Sequence, residues 1–194
     1  MRDAVFLDRD GTILDELGYL TPDSTVHVYP FSIDAIRLLA RAGFAVVVIT
    51  NQGGIGLGLY DHAFVDRTHG DLSRQFEAGG ATIDGWYYCP HHPEAVVAEF
   101  KQVCGCRKPA TGLVTTAAKD LDVDLSRSWV VGDQWRDIEV AHRTGARSVL
   151  VRTGYGRRLE HNWPDGIARP TIVADNLMEA AARILAMSSP GETT

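Results

Sequence analysis

The chain has 194 residues, 45% of them hydrophobic, and a formal net charge of −6 at pH 7. That length suits one compact domain with a sizeable core, and the acidic balance argues against nucleic acid or an anionic membrane surface as partner. The three cysteines, Cys89, Cys104 and Cys106, share one window, and an odd number cannot pair off, which excludes a secreted scaffold built on disulfides.

The opening segment Met1-Arg2-Asp3-Ala4-Val5-Phe6-Leu7-Asp8 is charged at intervals and has no apolar signal core, and the longest apolar run, Phe44–Ile49, is far too short to span a bilayer. A cytoplasmic protein is expected. In chain order, the pattern predicts a strand at Ala4–Leu7, a helix at Ile33–Arg41 stopped by Gly43, and a strand at Phe44–Ile49. A helix at Ala63–Glu77 ends before Gly79-Gly80, followed by a strand at Gly85–Tyr88, a helix at Gly112–Asp120 and a strand at Trp129–Val131. Then come a helix at Trp135–Arg143 stopped by Gly145, strands at Ser148–Val151 and Thr171–Val173, and a helix at Asn176–Ala186. Short, continuously apolar strands alternating with helices predict an α/β fold, a Rossmann-like parallel sheet covered on both faces. One domain over residues 1–187 is expected, with a disordered tail over 188–194. The segments Ile13–Tyr29 and Cys89–Pro109 are too long for simple connectors, and such loops are usually functional.

In open parallel sheets, ligands gather at the carboxyl ends of the strands, so the residues that end each strand come first. The first strand runs into Asp8-Arg9-Asp10-Gly11-Thr12. Residues i and i+2 of extended chain share a face, so both carboxylates can enter one crevice, where repulsion makes one take a proton or both share a cation. One then suits a nucleophile and the other a proton shuttle; taken alone, the segment reads more readily as an ordinary Asp-Gly turn. The second strand ends in Thr50-Asn51-Gln52-Gly53, whose hydroxyl and free N–H groups suit a phosphoryl oxygen or a simple turn. The glycines from Gly53 to Gly58 do not form a dinucleotide fingerprint, because Leu59 occupies the third glycine position counted from Gly54. Arg107-Lys108-Pro109 places one of only three lysines ahead of a helix, as a mobile ammonium for phosphate or a solvated basic pair. The strand Trp129–Val131 leads to Asp133 and Asp137, four apart, which suit Mg²⁺ or a helix cap with a surface carboxylate. Together these four strand ends make a full inventory for phosphoryl transfer.

With Phe6-Leu7-Asp8-Arg9-Asp10-Gly11-Thr12, Thr50-Asn51, Lys108-Pro109 and Gly132-Asp133 through Asp137 in this order, the sequence resembles the haloacid dehalogenase superfamily of phosphatases. Tyr88-Cys89-Pro90-His91-His92-Pro93, Phe100 and Cys104-Gly105-Cys106-Arg107-Lys108-Pro109 narrow the resemblance to its heptose 1,7-bisphosphate 7-phosphatase and histidinol-phosphatase branch. The resemblance implies a Mg²⁺-dependent phosphomonoesterase of the sheet-and-helix type with no large cap domain, working through an aspartyl-phosphate on Asp8. It implies that Asp10 is the acid and base, that Thr50 and Lys108 hold the phosphoryl oxygens, and that Asp8, the Asp10 carbonyl and Asp133 bind Mg²⁺ with Asp137 behind them. Glu16, Tyr19, Asn51 and Arg107 fall in substrate-contacting stretches. The implied substrate is a small phosphorylated sugar, the 7-phosphate of a heptose bisphosphate, with histidinol phosphate as the alternative; a monomer is expected. Gln134, where heptose enzymes often carry lysine, and Gly53, where serine is often seen, depart from the pattern.

Cys89-x-His91 and Cys104-x-Cys106 form two tight pairs, and three thiolates with one imidazole suit a closed tetrahedral Zn²⁺ site. The spacing by itself also admits reduced thiols or a Cys104/Cys106 redox pair, with His92 competing with His91; the resemblance selects structural Zn²⁺ on Cys89, His91, Cys104 and Cys106. A zinc-bound loop would stiffen the segment that carries Arg107 and Lys108.

Overall fold

Strands that are apolar on both faces need one helical layer above and another below. The computed structural model describes residues 1–21 and 24–188 and shows how that need is met. Six strands, β1 (Ala4–Leu7), β2 (Ala45–Asn51), β3 (Gly85–Cys89), β4 (Trp129–Gly132), β5 (Arg147–Val151) and β6 (Ile172–Ala174), pair in parallel in the order β3-β2-β1-β4-β5-β6. The order runs one way from β1 to β3 and the other way from β4 to β6, so it reverses between β1 and β4.

The period of two along each strand divides the core. Val5 and Leu7 of β1, with Val46 and Val48 of β2, pack beneath α1 (Ser32–Arg41), α2 (His62–Ala78) and α6 (Leu177–Ser188), which contribute Ile36, Leu39, Phe76 and Ile184. Ala4 and Phe6, with Val47 and Ile49, face α3 (Gly112–Asp120) and α4 (Trp135–Thr144), which contribute Leu113, Val114, Val140 and Ala141. Complete burial of side chains such as Phe6 and Ile36 is worth about 1.5–3 kcal/mol each, so a slip of one residue in β1 would exchange both cores.

The expected elements are all present, with ends displaced by a residue or two as frayed termini allow. A short helix, α5 (Gly156–His161), was not expected; six residues are too few to show a helical period. Ser188 is also not tail: it closes α6, and its Oγ lies 3.4 Å from the Trp129 indole nitrogen that donates to it. The rest of the expected tail, residues 189–194, lies outside the described residues. The long segment after β1 turns back through bridges of Leu14 to Asp10 and Val28, with Ile13 and Leu14 fully buried. The segment between β3 and α3 contains a single 3₁₀ turn, Ala98–Phe100. Among the described residues neither segment carries an inserted cap domain, and no helix is long and apolar enough to cross a membrane.

Candidate active site

A cleft of roughly 270 Å³ opens over the carboxyl ends of β1, β2 and β4, where the strand order reverses. A larger hollow of about 440 Å³ lies at the opposite end of the sheet, but its arginines, Arg2 and Arg127, are paired with Asp84 and Asp3, and no other charges converge there. The cleft brings together Asp8, Asp10, Glu16, Tyr19, Thr50, Asn51, Arg107, Lys108 and Asp137. Asp133 lies buried at its base.

Lys108 organises the floor. Its ammonium has three donors, and it lies 2.9 Å from the Ile49 carbonyl, 2.9 Å from Asp8 Oδ1 and 2.6 Å from Asp137 Oδ1. Burial works to lower its pKa, but Asp137 and Asp8 outweigh it and raise the group above its ordinary range. Burial pushes Asp8 up to about 7, with Lys108 opposing and Asp137 and Asp10 adding to the rise. Asp8 Oδ1 also accepts the Arg9 N–H at 2.7 Å, which leaves Oδ2 without a protein partner among the described residues. Asp137 has a partner on each oxygen: Oδ1 meets Lys108, and Oδ2 accepts the Gln134 N–H at 3.1 Å just ahead of α4. Because α4 begins at Trp135, Asp133 precedes the helix and does not share a helical face with Asp137.

Asp133 is the carboxylate with room for a cation. Its Oδ2 accepts the Tyr155 N–H at 2.8 Å, while Oδ1 is buried with no hydrogen-bond partner among the described residues. Burial, then Asp8 and Asp137, push it up to about 9. An orphaned buried oxygen carries a desolvation cost, and a divalent ion among three carboxylates removes it. Asp8, Asp133 and Asp137 each offer an oxygen within 4.8 Å of the others, a donor set that fits Mg²⁺. The surroundings are cut to the carboxylate: a Cβ on Gly11 or Gly154, both at positive φ, would come within 2.3 or 2.1 Å of Asp133 Oδ2.

Asp10 is held from the side. Arg9 donates to both of its oxygens, Nε to Oδ2 at 3.1 Å and Nη2 to Oδ1 at 3.0 Å. Gln52 Nε2 donates to Oδ2 at 3.1 Å and to Thr50 Oγ1 at 2.8 Å, and Thr50 Oγ1 lies 3.4 Å from Asp10 Oδ2. The side-chain amide of Asn51 clasps the Lys108 backbone, accepting its N–H at 2.9 Å and donating to its carbonyl at 3.1 Å. Glu16 and Tyr19 line the mouth, where burial raises the Glu16 pKa and Tyr19 stays 43% exposed.

Beside the cleft, Cys89, His91, Cys104 and Cys106 converge on one point, each offering a ligand atom within 4.8 Å of the others. Cys106 Sγ lies 3.0 Å from Cys89 Sγ, 3.3 Å from Cys104 Sγ and 3.2 Å from His91 Nδ1. Three thiols and an imidazole supply the four donors of a closed tetrahedral site, so the cluster could hold a zinc ion. His92 is turned elsewhere, its Nδ1 accepting the Glu94 N–H at 3.1 Å. Arg107 joins the two sites: its N–H points at Cys104 Sγ, 3.3 Å away, and its guanidinium donates to the His91 carbonyl at 3.1 Å while lining the cleft.

Comparison with known proteins adds the family. The HAD-hydrolase-like family matches residues 105–180. The D-glycero-beta-D-manno-heptose-1,7-bisphosphate 7-phosphatase of Escherichia coli strain K12 is 42% identical over 153 residues, 78% of this chain and 80% of its own. The D-glycero-D-manno-heptose-1,7-bisphosphate 7-phosphatase of Thermosynechococcus vestitus is 36% identical over 97% of this chain and 98% of its own. The chain belongs to the heptose bisphosphate phosphatase family of HAD-like hydrolases. Its structure superposes on the D,D-heptose 1,7-bisphosphate phosphatase of B. bronchiseptica, complexed with magnesium and phosphate, with a TM-score of 0.84 at 33% identity, over 95% of this chain and 99% of the other.

Several residues of the cleft went unnoticed in the sequence. Arg9 is hidden as the middle residue of Asp-x-Asp, and it is 1% exposed. Gln52 lies two residues beyond Thr50, a period that put it on the same face. Tyr60, which supports Gln52 through a 2.9 Å hydrogen bond, and Tyr155, which supplies a backbone N–H to Asp133, sit in loops without any pattern. Arg136 also lines the cleft, from the first turn of α4.

Proposed function

We propose that this chain is a cytoplasmic, monomeric phosphatase that removes the 7-phosphate of D-glycero-D-manno-heptose 1,7-bisphosphate, with residues 1–188 acting as one domain. The observation that carries the reading is the floor of the cleft, where buried Asp8 meets Lys108 at 2.9 Å with Asp10 beside it. Asp8 attacks phosphorus, the bond from phosphorus to the sugar oxygen breaks, and Asp10 gives its proton to that oxygen. Water then attacks the aspartyl-phosphate while Asp10 takes a proton from it. The bond between phosphorus and Asp8 breaks, inorganic phosphate leaves, and both carboxylates return to their starting states.

Thr50 and Lys108 stabilise the charge on the phosphoryl oxygens, and Asn51 serves the substrate by fixing the Lys108 backbone. Asp8, Asp133 and the Asp10 carbonyl, with Asp137 behind them, would hold Mg²⁺, which would supply positive charge against the phosphoryl group. Glu16 and Tyr19 meet the sugar, and Arg107 faces its distal phosphate. Cys89, His91, Cys104 and Cys106 would hold Zn²⁺, which would stiffen the loop that carries Arg107 and Lys108.

The test is phosphate release from both anomers of the heptose bisphosphate, from histidinol phosphate and from simple hexose phosphates, compared by kcat/KM. A preference of about tenfold or more for a heptose bisphosphate is expected, the scale on which a few added polar contacts discriminate. A higher kcat/KM for histidinol phosphate overturns the substrate assignment while leaving the phosphatase chemistry in place.

A further inference from the structure

The carboxylate of Asp10 is gripped by a string of buried groups that the roles above leave unused. We propose that His69 and Arg9 form a brace that orients Asp10 for proton transfer, making His69, on a helix outside the cleft, a positioning residue for the reaction. The proposal rests on Asp10 being the proton donor and acceptor.

Arg9 is 1% exposed and His69 6%. With Nε and Nη2 on Asp10, Arg9 places its remaining Nη1 3.2 Å from His69 Nε2. A guanidinium only donates, so Nε2 accepts and the imidazole is neutral, its proton on Nδ1. Burial and the Arg9 charge agree, lowering the His69 pKa to about 3. The ring stacks on Trp86 of β3 at 4.5 Å and meets Tyr88 edge-on at 5.8 Å. His69 is therefore fixed by α2 and β3, Arg9 by His69, and Asp10 by Arg9. Gln52, itself fixed by the Tyr60 hydroxyl, holds Oδ2 from the other side. A carboxylate turns freely about its last torsion, and proton transfer needs one oxygen within hydrogen-bond reach of the leaving group. The brace removes that freedom at the residue where it costs rate.

His69→Phe keeps a ring against Trp86 and deletes the acceptor, whereas His69→Gln keeps an acceptor for Arg9. Each is assayed on heptose bisphosphate, whose leaving alkoxide needs a proton, and on p-nitrophenyl phosphate, whose first-turnover burst of p-nitrophenolate needs none. His69→Phe is expected to lower kcat on the sugar by about tenfold, part of the 10²–10⁴ that general acid–base catalysis supplies, with KM and the burst rate within about twofold. His69→Gln is expected to return kcat to within about threefold of wild type, because the acceptor and not the ring chemistry is what matters. Equal losses in the two variants, or equal losses on sugar turnover and aryl burst, overturn the brace. Should His69→Phe fail to fold, Tyr60→Phe removes only the hydroxyl on Gln52; it must show the same selective loss in smaller measure, and an unselective loss or none overturns the proposal. Asp10→Asn sets the reference pattern. If it too loses the burst, the role given to Asp10 is wrong, and the brace falls for a reason that the His69 variants cannot produce.

Discussion

Asp8, Asp133 and Asp137 reach the cleft from the ends of two strands far apart in the chain, whereas Cys89, His91, Cys104 and Cys106 belong to one strand end and the loop that follows it. The carboxylate cluster contains its own cation, Lys108, and among the described residues leaves Asp133 Oδ1 buried without a partner. The sulfur cluster turns all four donors inward. An ion among the carboxylates keeps open positions for a substrate, and one among the sulfurs does not. The two clusters thus divide the work: the sheet assembles a reactive site, and the loop, which no sheet supports, is closed locally. Arg107 and Lys108 follow directly on Cys106, and the Arg107 N–H points at Cys104 Sγ, so the sulfur cluster and the cleft share one loop.

The sharpest way to separate the two is to remove the nucleophile. Asp8→Asn is expected to lower kcat by about 10⁴-fold or more, the scale on which loss of a nucleophile acts. Zinc content, measured by elemental analysis, should stay at the wild-type level. Activity within tenfold of wild type would end the assignment of Asp8.

Removing a sulfur ligand should disturb both sites together. Cys104→Ser opens a clip whose ends, Cys89 and Cys104, are 15 residues apart, and cross-linking a loop of that length is worth about 3 kcal/mol. For a chain of this size, that is a fall in Tm of about 6–12 °C. Zinc content should drop, and kcat should fall with it as Arg107 and Lys108 lose their anchor. Unchanged zinc in this variant would show that the cluster is not a metal site.

Most of this architecture was legible because its causes are local. The continuous apolar runs Ala4–Leu7 and Trp129–Val131 can only be strands buried on both faces, and the carboxylates just past them had to meet at one end of a parallel sheet. Cys104-x-Cys106 announced itself by rarity. What escaped notice depends on distance in the chain. Nothing in the neighbourhood of His69 reveals that its ring faces Arg9, 60 residues earlier, because α2 reads as an ordinary amphipathic helix with two adjacent polar residues, Thr68 and His69, on its buried side. Asp137 reads from the sequence only as a possible partner of a metal, and the fold adds what its neighbours do: Lys108 meets one of its oxygens and the Gln134 N–H the other.

The smallest and most discriminating effect comes from α2, which lies outside the cleft and which neither cluster reaches. A histidine held neutral in the folded state, with its pKa lowered to about 3, binds fewer protons than the same residue unfolded near 6.5. Between those values the unfolded chain takes up the extra proton, so stability is full above about pH 6.5 and drains away as the pH falls toward 3. The groups facing the ring, Arg9 from the end of β1 and Trp86 and Tyr88 from β3, offer no carboxylate to welcome the charge. Relative to His69→Phe, which has nothing to titrate here, the wild type should therefore lose about 2 kcal/mol between pH 7 and pH 5, at 1.36 kcal/mol for each unit below 6.5. Thermal unfolding at the two pH values reads this as a difference of about 4–8 °C between the proteins. Because the comparison is between two proteins that share every carboxylate, the titrations of Asp8 and Asp133 cancel, and parallel pH profiles would mean that His69 is not held neutral against Arg9.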